Sequence, residues 1–313
     1  MLRLGIDVMG GDFSPESPLK GALLAKEKLG SRAQVVLFGD EKLIQSSLLS
    51  YGVAPDSFEI VGSTQTIEMH EHPTKAIVQK PQSSIAMGLK ALAEKKIDAF
   101  SSAGNTGAVM VASMMTIKSI PGVIRPCITS ILPKEKGGMG LILDVGTNAD
   151  CKPDVLHQFG ILGSIFAQLV YHIENPKVAL LNIGEEPEKG NLVSQAAHVM
   201  MAESTQFNFI GNVEGRDLFN SKADVIVCEG FTGNVVLKEA EAFYTLIKKR
   251  GLSDEYFDRF NYELYGGTPI LGVNGSVMIG HGISSPVAIQ NMILLSMEVA
   301  ETKLHEKIKE AFN

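Results

Sequence analysis

The 313-residue chain has few cysteines, no excess of positive charge and no apolar run long enough to cross a membrane. Its three cysteines, Cys127, Cys151 and Cys228, are too few and too scattered for a disulfide framework or a zinc site. A formal net charge of −7 removes the broad basic footprint expected of a nucleic-acid binder, so no nucleic-acid partner is expected. The most lipid-like stretch, Phe159–Val170, is interrupted by Gln168 and reads as a buried helix. The opening MLRLGIDVMGG reads as a strand rather than a signal peptide, and a cytoplasmic location is expected. Well-known catalytic signatures are missing too. There is no Walker A sequence, no G-x-S-x-G elbow and no H-E-x-x-H. Gly280-His281-Gly282-Ile283-Ser284-Ser285 comes nearest to G-x-G-x-x-G and fails at its last position, which weakens nicotinamide and nucleotide readings.

What the chain does contain is one kind of turn, used three times. Ile97–Ser102 is a short apolar run broken by Ala103-Gly104-Asn105-Thr106-Gly107, after which Ala108–Met115 can continue as a helix. Leu141–Asp150 reads LILDVGTNAD, an apolar run ending in Asp144 and then Gly146-Thr147-Asn148. Val225–Val236 reads VIVCEGFTGNVV, ending in Glu229 and then Thr232-Gly233-Asn234. A strand that ends in a Gly-rich turn and opens a helix directs unpaired N–H groups at one spot, and the helix dipole favours an anion there.

Around these turns the pattern alternates between strand and helix. Strands are expected at Leu2–Val8, Gln34–Phe38, Phe58–Val61, Cys127–Leu132, Leu141–Val145, Lys177–Ile183, Phe207–Ile210, Asp224–Cys228 and Ile270–Ile279. Asp40 and Ser83 or Ser84 are candidate N-caps, and Pro153 suits the first turn of a long helix to Ile173. Thr66–Lys80 reads as polar and less regular. Lys134–Gly140 reads as a hairpin turn, so an antiparallel pair is expected within a mostly parallel sheet. From Val235 the apolar residues fall at helical spacing up to Lys248-Lys249-Arg250-Gly251, and Ser253 is read as the cap of a second helix. The fold class is therefore α/β with a mainly parallel, covered sheet. A single domain is expected over 1–313, with a helical hairpin arm at about 235–266. In such sheets ligands sit beyond the carboxyl ends of the strands, where the three turns lie.

Gly184-Glu185-Glu186-Pro187-Glu188-Lys189-Gly190 follows a strand and precedes a helix. A cation near a helix N-terminus opposes the dipole, so Lys189 either shares an anion with that terminus or belongs to a solvated charged loop. His281, between two glycines, is a candidate acid or base, and a structural histidine is the competing reading. His70 and His72 lack an evident third metal ligand, and Cys228 sits in an apolar run that suits an inert thiol.

Read together and in order, Ile6-Asp7-Val8-Met9-Gly10-Gly11-Asp12, Ser102–Ala108, Asp144–Asn148, Gly184-Glu185-Glu186 with Lys189-Gly190, and Glu229–Val235 resemble the bacterial phosphate acyltransferases of phospholipid synthesis. The similarity runs from Leu2 to the last helix. It implies a fold like that of isocitrate and isopropylmalate dehydrogenases, used without nicotinamide, cofactor or metal. It implies acyl transfer from acyl carrier protein to inorganic phosphate. The acyl phosphate would then pass to a membrane glycerol-3-phosphate acyltransferase. A homodimer with peripheral contact to the inner membrane face is implied as well.

The turns and the resemblance together nominate Lys189, Asn234 and His281 as catalytic residues. They nominate Asp7, Gly10, Gly11, Asp12, Gly104, Asn105, Thr106, Gly107, Asp144, Gly146, Thr147, Asn148, Glu185, Glu186, Thr232 and Gly233 as substrate-binding residues. N–H groups of the Gly104–Gly107 and Gly146–Asn148 turns are expected to hold phosphate, with Asn234 or Asn105 donating to the oxyanion. A short-chain phosphotransacetylase and a non-catalytic phosphate- or lipid-binding protein are the competing functions.

Overall fold

The computed structural model describes residues 1–312. Along the chain the elements are β1 (Leu2–Asp7), α1 (Glu16–Leu29), β2 (Ala33–Gly39), α2 (Glu41–Ser50), β3 (Glu59–Gly62), α3 (Pro73–Gln79), α4 (Ser84–Ala93), β4 (Ala99–Ser102) and α5 (Thr106–Thr116). They continue as β5 (Cys127–Pro133), β6 (Met139–Leu143), α6 (Pro153–Val170), β7 (Lys177–Leu181), α7 (Leu192–Ala202), β8 (Asn208–Val213) and β9 (Val225–Val227). The last are α8 (Gly230–Lys249), α9 (Glu255–Asp258), β10 (Thr268–Leu271), β11 (Ser276–Ile279), α10 (Pro286–Glu301) and α11 (Leu304–Ala311). Where the sequence pattern suggests one α/β domain over 1–313, the backbone contacts gather into two compact units.

The first unit comprises Met1–Lys118 and Tyr262–Lys303. Its strands run in the order β3-β2-β1-β4-β11-β10. β1 pairs in parallel with β2 and β4, and β11 in parallel with β4. β10 closes the row antiparallel to β11. The loops after β1, β4 and β11 therefore leave from the same carboxyl edge. Strand residues are buried on both faces, as parallel sheets require. Phe38 and Phe100 meet edge to face at 5.8 Å in that core.

The second unit comprises 119–261 and 304–312. Its strand order is β5-β6-β9-β7-β8. β6, β9, β7 and β8 are parallel, and β5 pairs antiparallel with β6, Thr129 opposite Leu143. This is the antiparallel pair that Lys134–Gly140 signals. β9 lies between β6 and β7, so the three loops that follow these strands are neighbours at one edge.

The caps follow the sequence chemistry. Asp40, Ser83 and Asn105 accept from the backbone N–H of Leu43, Ala86 and Ala108. Three expectations need correction. Thr66–Lys80 contains α3, begun at Pro73. Ile270–Ile279 is a tight hairpin rather than one strand, because β10 and β11 pair antiparallel about the turn between them. The arm is one long helix, α8, followed by a single helical turn, α9. Its cap is Asp254, not Ser253, accepting from the N–H of Tyr256 and Phe257. Side chains of this turn and of its C-cap bond the β5–β6 hairpin. The Tyr256 hydroxyl donates to the Pro133 carbonyl at 3.2 Å, and Arg259 donates to the Lys134 and Gly138 carbonyls. No helix among the described residues is long and apolar enough to cross a membrane.

Candidate active site

In the first unit, the loops after β1, β4 and β11 are bonded to one another. The Asp7 carboxylate is buried, accepting from Ser102 Oγ at 2.7 Å and from the Met9 N–H at 3.0 Å. Ser102 Oγ in turn accepts from the Gly104 N–H at 3.0 Å. Gly10 presses on Gly104: a methyl group at Gly10 would lie 2.7 Å from the Gly104 nitrogen and strike the Asp7 carboxylate. The Asp12 N–H donates to the Gly282 carbonyl at 2.8 Å, beside Gly11 and His281. The His281 ring packs on Tyr262 with centroids 4.8 Å apart. Burial raises the Asp7 carboxyl above its usual range, and hydrogen bonds from Ser84, Ser102, Met9 and Gly10 oppose that rise. Asp7 thus joins two turns. Ser102, which ends a strand and opens the Ser102–Ala108 motif but is not among the nominated site residues, is one of its partners. A pair of consecutive serines in a buried strand was the available signal.

Asn105 is spent on structure. Its Oδ1 caps α5, and its Nδ2 lies 2.9 Å from the Glu71 carbonyl and 3.1 Å from that of Met69. That removes Asn105 from the oxyanion role the sequence allows it. The N–H groups of Thr106 and Gly107, in the first turn of α5, have no protein acceptor among the described residues.

In the second unit the acids that end the strands fill the anion positions themselves. Asp144, fully buried, accepts from the Asn148 N–H at 2.6 Å, Asn148 Nδ2 at 2.9 Å, the Thr147 N–H at 3.2 Å and the Ile128 N–H at 3.1 Å. The expectation that N–H groups of Gly146–Asn148 hold phosphate is therefore corrected: those of Thr147 and Asn148 hold Asp144. Glu229 caps α8, accepting from the N–H and the hydroxyl of Thr232. α8 starts at Gly230, not Val235, so Thr232, Gly233 and Asn234 form its first turn. Gly233 lies hard against the β6 turn, and a methyl group there would collide with the Asp144 carbonyl. The Asn234 amide donates one N–H to the Val145 carbonyl at 3.2 Å beside Gly146, and its second N–H is uncommitted among the described residues. Thr147 Oγ1 is buried without a partner in the same turn.

The loop after β7 completes this edge. Glu185 pairs with Lys222 at 2.8 Å and with Arg216 at 3.7 Å, so its charge is met within the protein. Lys189 is exposed and makes no ion pair among the described residues. Its stem lies over Gly184, where a methyl group would sit 2.8 Å from Lys189 Cγ and 2.9 Å from Glu186 Oε2. The edge therefore offers one unpaired ammonium, on the loop after β7, and one free amide N–H, on the first turn of the helix after the neighbouring strand β9.

The cysteines flank this edge without reactive character. Burial, and after it the Asp144 carboxylate, push the Cys151 thiol up to about 12. Burial raises Cys127 and Cys228 well above the usual thiol range. All three are protonated, poor nucleophiles at neutral pH. No group of three or more His, Cys, Asp or Glu side chains among the described residues is placed to hold a metal ion.

Comparison with known proteins gives the family and the fold. The model of a family described as "Fatty acid synthesis protein" matches residues 2–307. A protein named Phosphate acyltransferase from Dictyoglomus turgidum is 39% identical over 331 residues, covering 100% of this chain and 98% of its own length. Among solved structures, a phosphotransacetylase from Streptococcus pyogenes superposes with a TM-score of 0.69 at 15% identity, covering 96% of this chain and 94% of that one. A 4-hydroxythreonine-4-phosphate dehydrogenase from Klebsiella pneumoniae superposes with a TM-score of 0.56 at 12% identity, covering 96% of this chain and 98% of that one. The two structures share the fold, which places the chain among dehydrogenase-like α/β architectures.

Proposed function

Because the chain belongs to the phosphate acyltransferase family of fatty acid synthesis proteins, and is thus an acyltransferase acting on phosphate, we propose that its acyl donor is a long-chain acyl thioester of acyl carrier protein and its product is acyl phosphate. The observation that carries this reading is that the segments following the adjacent strands β7 and β9 of the second unit carry the unpaired Lys189 ammonium and the free N–H of Asn234.

Inorganic phosphate is the nucleophile. Lys189 offsets its charge and brings one oxygen toward the thioester carbonyl. A bond forms between that oxygen and the carbonyl carbon, and the carbonyl oxygen takes the electron pair. The Asn234 N–H donates to this oxyanion. Collapse breaks the carbon–sulfur bond and the thiolate leaves with the pair. A thiol's ordinary pKa of about 8.5 makes this leaving group good without a strong general acid. The high thiol values of Cys151 and Cys228 favour direct attack by phosphate over an acyl-cysteine intermediate. The acyl phosphate is suited to a membrane glycerol-3-phosphate acyltransferase as the consuming enzyme.

The donor is tested by presenting palmitoyl-acyl carrier protein and acetyl-CoA separately, each with phosphate, and trapping acyl phosphate with hydroxylamine. The proposal expects the carrier thioester to be strongly preferred. Preference for acetyl-CoA would replace it with a short-chain phosphotransacetylase.

A further inference from the structure

The loop that presents Lys189 is held from beneath by side-chain amides that the mechanism does not otherwise use. Asn212 Nδ2 donates to the Glu186 carbonyl at 2.8 Å, and that carbonyl also accepts the Lys189 N–H at 3.1 Å. Asn182 Nδ2 donates to the Lys189 carbonyl at 3.1 Å. Gln195 Nε2 donates to the carbonyls of Glu188 at 2.8 Å and Gly190 at 3.1 Å. Three amides, from the end of β7, from β8 and from α7, thus converge on one short loop.

Asn212 has its own support. Its Oδ1 lies 3.0 Å from Nδ1 of His198. Since Asn212 Nδ2 is committed to a carbonyl, which can only accept, Oδ1 must accept here and His198 Nδ1 carries the proton. Both side chains are buried, Asn212 at 3% and His198 at 9% exposure, and the imidazole packs edge to face on Phe209 at 5.2 Å. A buried Asn–His pair is costly unless every polar atom is used. Here the chain of bonds runs from the imidazole through the amide to the carbonyl that anchors Lys189. An apolar pair at these positions would serve β8 and α7 equally well as packing, but would leave the loop untied.

We propose that Asn212, oriented by His198, and Gln195 are positioning residues that fix the Lys189 loop so that its ammonium meets phosphate. The inference rests on the reading of Lys189 as the phosphate-binding cation. Long lysine side chains have several rotamers, and a fixed backbone and a stem lying over Gly184 narrow where the charge can go.

The test measures steady-state and single-turnover rates with palmitoyl-acyl carrier protein while inorganic phosphate is varied. The variants are Asn212→Ala, Gln195→Ala, Lys189→Ala and the doubles Asn212→Ala/Lys189→Ala and Gln195→Ala/Lys189→Ala. Melting curves establish that each is folded. Gln195 is only half-buried on α7, so its variant guards against misfolding of the Asn212 variant. The expected result is a fall in kcat/KM for phosphate of about tenfold or more in each single variant, because a misplacement of about 1 Å can cost on the order of 10²-fold. KM for the acyl donor stays unchanged, and neither amide substitution adds a further loss once Lys189 is alanine. If Lys189→Ala impairs phosphate use but the amide variants do not, or if their losses simply add to it, the positioning role is overturned and the reading of Lys189 stands. If Lys189→Ala itself leaves phosphate kinetics unchanged, both fall.

Discussion

At the scale of single residues, a short polar side chain beside a glycine either faces a ligand or braces its own turn. Asp144 and Asn105 looked like ligand contacts because short polar side chains beside glycines are what an anion site requires. The same chemistry also builds turns, and here Asp144 takes four donors and Asn105 ties α5 to the segment before α3. Nothing in a linear pattern distinguishes a donor aimed at a ligand from one aimed at a carboxylate of its own loop. Asn234 keeps one uncommitted N–H and is the residue with the sharpest kinetic consequence. Asn234→Ala is predicted to lower kcat by about 10²–10³, the usual loss when an oxyanion donor is removed, with a much smaller effect on KM for phosphate. An unchanged kcat would remove it from that role.

Asp7 carries a prediction of another kind. A carboxyl raised above its usual value by folding favours the folded state while it is protonated. Its contribution is complete below the unfolded value of about 3.9, and is lost as pH rises through the folded value. Asn cannot titrate, so the stability of wild type relative to Asp7→Asn should decline as pH rises from about 4 toward 7. Urea denaturation of both proteins across that range measures it. A constant difference would mean that burial does not disfavour the charged carboxylate.

At the scale of elements, starts and caps were legible where one side chain decides them, as at Asp40 and Ser83. Elements shaped by distant contacts were not. α9 ends after one turn because Tyr256 and Arg259 bond the β5–β6 hairpin, and no local signal announces that. α8 begins earlier than its apolar periodicity suggests because Glu229 caps it and Gly233 lets it lie against the β6 turn. Gly233→Ala should therefore displace the start of α8 and cost about 1–3 kcal/mol in unfolding free energy, the range for forcing a methyl into a packed site. The same change should move Asn234, so activity should fall by more than the lost stability alone explains. Wild-type melting and turnover in this variant would contradict the close approach.

At the scale of the whole molecule, the alternation of strands and helices gave the α/β class and the carboxyl-edge location of the turns directly, because parallel strands need helical crossovers. The grouping of the chain into two units was not legible, since Lys118 and Tyr262 carry no linker-like composition. Of the three related turns, Gly104–Gly107 belongs to the first unit and the Asp144 and Glu229 turns to the second.

The account's central claim is that phosphate attacks the thioester directly. The most direct measurement mixes enzyme with a stoichiometric amount of palmitoyl-acyl carrier protein, first without phosphate and then with it, and follows free carrier, acyl phosphate and the intact mass of the protein. The account predicts no release of carrier and no increase in protein mass until phosphate is added, and then release of carrier in step with acyl phosphate. An acylated protein accumulating before phosphate is added would contradict it.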